Sequence, residues 1–233
     1  MNTSSLIPLF DIDWTLLVGK NQVHLDAFTH MFTTVYGEPT AAISDITPHG
    51  MIDSQIIVEV MKVHGWVEVN IRKKLPDAFN AINSYYIKNA DPKYIEKLPG
   101  VDNLLAKLKE SDVLMGLLSG NIEGMAWNKM EMAGIKDYFS FGAFGDMADT
   151  RPELVGVAQN QIKAKFNLDI PKEQFVIIGD SPLDVVTAKK AGTKCIAVAT
   201  GSSDKTKLAL ENPELVVDNL SEIDKILPLI LGK

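Results

Sequence analysis

An α/β fold is predicted for this chain: a core of parallel strands with helices on both faces, interrupted by an all-helical insertion. Three observations predict it. From Leu98 onward, short apolar runs alternate with segments of three-to-four periodicity, the rhythm of strands that cross over through helices. Residues from about 18 to 92 show helical spacing only. At 233 residues the chain is too long for a minimal domain and short for two full ones, which suits one core plus a smaller inserted unit.

The elements follow in order. Leu6-Ile7-Pro8-Leu9-Phe10 reads as the first strand, although Pro8 lacks the N–H that a central strand uses. Leu25, Phe28, Phe32 and Val35 then repeat at helical spacing and stop before Gly37. Asp53-Ser54 is a good N-cap pair for a second helix that turns Ile56, Ile57, Val60 and Met61 inward and ends at Gly65. A third helical region covers about Val69 to Asn89, with Pro76 expected to break or kink it.

Pro99-Gly100-Val101-Asp102 is a turn opening a helix that buries Val101, Leu104, Leu105 and Leu108 and leads into a strand from Val113 to Leu118. A helix over 122–133 ends at Gly134, and a short apolar segment runs from Phe139 to Phe144. A helix over 152–166, a strand Phe175 to Ile178, a helix over 183–191, a strand over 195–199 and a last strand Leu215 to Val217 complete the series. The core is therefore expected at residues 1–17 and 93–233, a Rossmann-like sheet, and residues 18–92 read as an all-helical block; if that block is a separate lid, its hinges lie near Leu17 to Lys20 and Asp91 to Lys97.

Composition narrows the function. With 46% hydrophobic and 23% charged residues the chain is globular, and a net charge of -7 argues against a nucleic-acid partner. The one cysteine, Cys195, excludes internal disulfides and reads as a small buried hydrophobe. The first residues carry neither a basic nor a long apolar segment, and no run approaches the ~20 apolar residues of a membrane span, so cytoplasmic residence is expected.

Asp11 and Asp13 stand two residues apart at the exit of the first strand, where a side-chain period of two turns both to the same side. Two unpaired carboxylates so close repel and resist desolvation unless a cation lies between them or one holds a proton. Ligands in open α/β sheets collect beyond the carboxyl ends of the strands, and three more polar groups lie there: Ser119-Gly120-Asn121, Asp180 with Asp184, and Arg151 on the loop before a helix. In the first turn of the helix over 183–191, which follows the strand ending at Asp180, Asp184 is tolerated by the helix dipole, and a hard cation could bridge it and Asp180 to Asp11.

These residues resemble the motifs of the haloacid dehalogenase-like hydrolase superfamily, in its phosphatase branch and close to phosphoglycolate phosphatases. Asp11-Ile12-Asp13-Trp14-Thr15 matches the first motif, Ser119 the second, Arg151-Pro152 the third and Gly179 to Asp184 the fourth. The resemblance implies a mobile helical cap over residues 18–92 and a Mg2+-dependent phosphatase for a small phosphorylated metabolite. It implies Asp11 as nucleophile and Asp13 as general acid and base. Mg2+ would be held by Asp11 and Asp180, the backbone carbonyl of Asp13, and waters or Asp184. Ser119, Asn121 with the backbone of Gly120, and Arg151 would bind the phosphoryl oxygens, while Thr15 would orient the first loop.

Other readings stand beside these. Asp184 could be a plain helix cap, Ser119 a turn former, and Lys163 or Lys165 could take the place of Arg151. Trp14 departs from the family's usual glycine and either packs under the cap or narrows the substrate entrance. His49-Gly50-Met51-Ile52-Asp53 resembles the loop that closes over the leaving group, with a helix-entry turn as the alternative. His24, His30 and His64 show no ligand spacing. Asp13 counts against a dehalogenase or a phosphonate hydrolase; a sugar phosphomutase of the same fold is the main alternative, and a phospho-ligand-binding protein without turnover a second. The sequence names neither the substrate nor the oligomeric state.

Overall fold

The computed structural model describes residues 5–19, 22–48 and 50–233. Among them lies one six-stranded, wholly parallel sheet of β1 (Ile7–Phe10), β2 (Gly116–Leu118), β3 (Phe141–Ala143), β4 (Phe175–Gly179), β5 (Lys194–Val198) and β6 (Leu215–Val217), in the order β3-β2-β1-β4-β5-β6. The strand period of two sorts the core into two layers. Phe10, Val176, Ile178 and Ile196 pack on one face with Leu104 and Leu105 of α4 (Val101–Glu110) and Ile226 and Ile230 of α9 (Ile223–Leu231). Leu9, Ile177, Cys195 and Ala197 pack on the other with Leu154 and Ala158 of α6 (Glu153–Phe166) and Val185 and Ala188 of α7 (Pro182–Ala191).

Pro8 sits in the central strand without breaking the ladder. Asp11 N–H donates to Ile178 O on β4, so strand alternation turns the Pro8 nitrogen toward β2, which begins only opposite Leu9. The strand expected from Val113 is shorter than predicted, because Val113 N–H still closes the turn onto Leu108 O and the ladder starts at Gly116.

The segment between β1 and α4 is all helical: α1 (Gln22–Met31) continued by a wider π turn (Phe32–Tyr36), α2 (Asp53–Val63) and α3 (Glu68–Asn89). Phe28, Phe32, Ile57, Ile82 and Tyr86 form its own apolar centre, which Ile122 and Met125 beside and within α5 (Glu123–Met132) complete from the sheet side. Three expectations change here. α3 runs unbroken through Pro76; the lost hydrogen bond costs about 3 kcal/mol in a helix interior, but Ile71 before it and Ala78, Ile82 and Tyr86 after it share one buried face. Asp53 does not cap α2: Ile52 holds that position, and the Asp53 carboxylate is spent elsewhere. Leu25 is 49% exposed because Ala27, Phe28 and Met31 take the buried face of α1. Among the described residues no helix is long and apolar enough to cross a membrane.

Candidate active site

The strand order reverses between β1 and β4, and ligands bind at such a switch point. Asp11 follows β1, Asp180 follows β4, and Asp184 lies in the first turn of α7, so one carboxylate oxygen of each falls within 4.8 Å of the others. Burial, with Asp184 and Asp13 adding to it against the opposing pull of Arg151, raises Asp11 to about 6. Burial and the neighbouring Asp11 and Asp184 raise Asp180 to about 8. The Arg151 Nη2 donates to Asp184 Oδ1 at 2.7 Å and stands 3.1 Å from Asp11 Oδ1. One guanidinium therefore faces three acids, and the excess negative charge in an all-oxygen set fits a hard divalent cation.

Asp184 is also structural. Ser181 caps α7, and Asp184 Oδ2 accepts from Ser181 N–H at 3.0 Å and Oγ–H at 2.6 Å in a capping box. Both its oxygens are engaged, which leaves Asp11 and Asp180 with the freer lone pairs. Two glycines permit this crowding: a Cβ on Gly179 would stand 2.3 Å from the Asp184 carboxyl carbon, and one on Gly201 would stand 1.8 Å from Asp180 Oδ2. Sequence reasoning missed Gly201, whose role depends only on the loop after β5 folding over β4.

Asp13 has a different environment. Lys129 Nζ of α5 donates to both its oxygens at 2.8 and 2.7 Å and to Asn121 Oδ1 at 2.7 Å, while Asn121 Nδ2 donates to Asp13 Oδ2 at 2.8 Å. Burial works against the charge on Asp13, yet Lys129 and Asn121 outweigh it and hold the carboxyl below its usual range. Lys129 is only 1% exposed and was not anticipated. The signal existed: Ile122, Met125, Ala126, Lys129 and Met130 fall on one helical stripe, and a lysine on an apolar stripe needs a buried partner.

The other anticipated residues are distributed as follows. Ser119 is buried at the end of β2, and its Oγ accepts from Asn121 Nδ2 at 3.0 Å. The Asn121 side chain, expected on a phosphoryl oxygen, is thus committed to Asp13, Ser119 and Lys129. Thr15 Oγ1 and Arg151 Nε are buried without a hydrogen-bond partner. Lys163 pairs with Asp169 and Lys165 donates to Ser140 O, so both stand away from the acids and Arg151 is the cation among them. His24 is lowered to about 3 by burial, with Lys129 adding to it, so its ring is uncharged near neutrality.

The helical segment rests directly on the site. Asp53 N–H donates to Gly120 O at 2.8 Å, and Asp53 Oδ2 accepts from Ile122 N–H at 3.0 Å. Burial, offset in part by that N–H and by Lys129, raises Asp53 to about 7. Gly50 has φ of 75°, and a Cβ there would meet Leu183 Cδ1 at 2.4 Å. His49 and Lys20, named in the loop and hinge expectations, lie outside the described residues. Between the helical segment and the carboxyl ends of the strands is a cavity of about 750 Å³ lined by Asp11, Asp13, Ser119, Asn121, Arg151 and Asp180 on the sheet side.

A parallel sheet with three carboxylates gathered at its switch point defines the class: a doubly wound α/β core with its site under a helical insertion. The chain belongs to the haloacid dehalogenase-like hydrolases, whose family model matches residues 8–198. It is 26% identical over 216 residues to a Clostridium perfringens protein provisionally named pyrophosphatase PpaX, covering 92% of this chain and 94% of that one. It is 26% identical over 217 residues to phosphoglycolate phosphatase 1 of Pseudomonas aeruginosa, covering 92% and 77%. Its fold matches the crystal structure of CbbY from Rhodobacter sphaeroides in complex with phosphate, with a TM-score of 0.66 and 18% identity over 94% of this chain and 96% of that one.

Proposed function

We propose that this protein is a Mg2+-dependent phosphatase that hydrolyses a small phosphorylated metabolite through an aspartyl-phosphate on Asp11. The observation that carries the reading is the gathering of Asp11, Asp180 and Asp184 around one guanidinium at the sheet's switch point. The phosphatase names of its relatives support it. The carboxylates of Asp11 and Asp180 would hold the cation, with Asp184 and the backbone carbonyl of Asp13 beside them. Mg2+, when bound, supplies positive charge that offsets the acids and the negative charge on the transferring phosphoryl group.

The chain's own groups divide the rest. An Asp11 oxygen attacks phosphorus, and the bond to the leaving oxygen breaks as the acyl-phosphate bond forms. Arg151, Ser119 Oγ and the Gly120 backbone N–H would bind the equatorial oxygens, where most of the catalysis of phosphoryl transfer resides, while the Ser119 N–H is held by Ala143 O. Asp13 gives a proton to the leaving oxygen and then takes one from the water that frees Asp11. Lys129 keeps Asp13 ionised at rest, so the donor step needs Asp13 to take up a proton as the substrate's negative charge arrives, whereas the base step needs no change.

Phosphate release from a panel of small phosphate esters tests the proposal. Release is expected with Mg2+, is lost in excess EDTA and returns when Mg2+ is restored. Full turnover in EDTA would overturn the metal assignment, and no release from any ester would overturn the phosphatase reading.

A further inference from the structure

We propose that the substrate's leaving group is apolar, an aromatic or branched aliphatic alcohol, and that the indole of Trp14 is the side chain that selects it. The inference rests on the phosphatase reading and adds the chemistry of the ester to it.

The first observation is a residue in the wrong backbone state. Trp14, directly after Asp13, has φ of 62°, the left-handed region that favours glycine and is rare for a bulky side chain. The turn is held by its backbone: Trp14 N–H donates to Leu17 O at 2.7 Å, and Thr200 Oγ1 donates to Trp14 O at 2.5 Å. A glycine would make both bonds without strain. The turn therefore gives no reason for an indole, and an observed outlier beside a reactive group points to function.

The second observation is the inverse. Gly19 does not have a positive φ, yet a Cβ on it would meet Trp14 Nε1 at 2.3 Å and Cδ1 at 2.5 Å. Glycine stands where the indole needs room, and the large residue stands where the backbone calls for glycine. Both line the cavity, so the loop is shaped around the ring.

The third observation is the apolar part of the cavity's lining. Leu25, Ile43, Met51, Ile56 and Leu183 line it together with Trp14. Leu25 at 49% and Leu183 at 40% are among the large apolar side chains left exposed, and a ligand entering here would cover them. Among the described lining residues the cations are Arg151, already on Asp11 and Asp184, and the exposed Lys207. A short carboxylate leaving group such as glycolate would bury its charge against apolar walls.

Benzyl phosphate, ethyl phosphate and 2-phosphoglycolate test this with Mg2+, because benzyl and ethyl alcohols are similarly poor leaving groups and differ in what they fill. Wild type is expected to show kcat/KM for benzyl phosphate at least about tenfold above the other two. Trp14→Gly should lower the benzyl-to-ethyl ratio about tenfold, chiefly through KM, the scale of one lost aromatic contact, with Tm unchanged or raised. Trp14→Phe should keep most of the ratio. Wild type preferring 2-phosphoglycolate, or Trp14→Gly lowering Tm and both rates alike, overturns the inference while leaving a phosphatase. No release from any of the three or from 4-nitrophenyl phosphate overturns the phosphatase reading and this inference with it.

Discussion

Asp11 and Asp13 are two residues apart on one loop, and the fold drives them in opposite directions. Asp11 looks toward β4, where Asp180 and Asp184 crowd it and Arg151 is divided between it and Asp184, and burial raises it to about 6. Asp13 looks toward α5, where Lys129 donates to both its oxygens and holds it ionised. The same side chain on the same strand exit is thus an incomplete half and a complete half of one site. The incomplete half needs a cation from solution, while the complete half carries its own. Pairs of carboxylates pushed apart in this way divide chemical roles between them.

The comparison predicts distinct failures. The largest is Asp11→Asn, which removes the proposed nucleophile and one oxygen donor. Phosphate release is expected to fall by about 10⁴-fold or more, with no phosphorylated Asp11 by mass spectrometry. A variant keeping a tenth of the wild-type rate would show that the incomplete half is not the reacting one.

Lys129→Met should be smaller and of another kind. Positioning of Asp13 is part of general acid and base catalysis, worth about 10² to 10⁴ in total, so a loss of about 10- to 100-fold in kcat is expected. Breaking a buried ion pair costs about 3–5 kcal/mol, but the Asp13 side chain is 26% exposed, which reduces the expected loss of stability to about 1–3 kcal/mol. Mg2+ affinity, followed by calorimetry, should change little, whereas Asp180→Asn should weaken it strongly. Equal loss of Mg2+ affinity in both variants would break the division into two halves.

The smallest effect belongs to Asp53, which joins the helical segment to the site through a neutral N–H and has no ion pair of its own. Its folded value near 7 lies above the ordinary 3.8, so the folded protein keeps a proton that the unfolded chain releases. Stability from this group is full below about pH 4, declines as pH rises toward 7 and is level beyond. Asp53→Asn keeps an acceptor for Ile122 N–H and removes the decline, so its unfolding free energy should match that of wild type near pH 4 and exceed it at pH 8, by on the order of a few kcal/mol or less, with Tm following. Parallel Tm curves over that range would place the charge elsewhere.

Much of this was legible in the residues. Strand exits announce themselves because a buried parallel strand is an apolar run that ends abruptly, so Asp11, Ser119 and Asp180 could be placed on one side of a sheet before its order was known. The burial of Ile56, Ile57, Val60 and Met61 followed from spacing alone. Periodicity failed where a side chain had two uses: Leu25 fits the helical repeat but lines the cavity, and Asp53 has the chemistry of a cap but accepts from Ile122 N–H.

What pattern could show was local: which segments form strands and helices, and which polar groups stand at their ends. Tertiary structure decided the pairings. Lys129 meets Asp13 across 116 positions of chain, Gly201 leaves room for Asp180 from the next strand, and Trp14 takes a glycine's backbone because Leu17 holds its amide and Thr200 its carbonyl. Each is a contact between residues far apart or in competition for one conformation. The charge state of a carboxylate depends on what surrounds it in space, and periodicity along the chain carries no record of that.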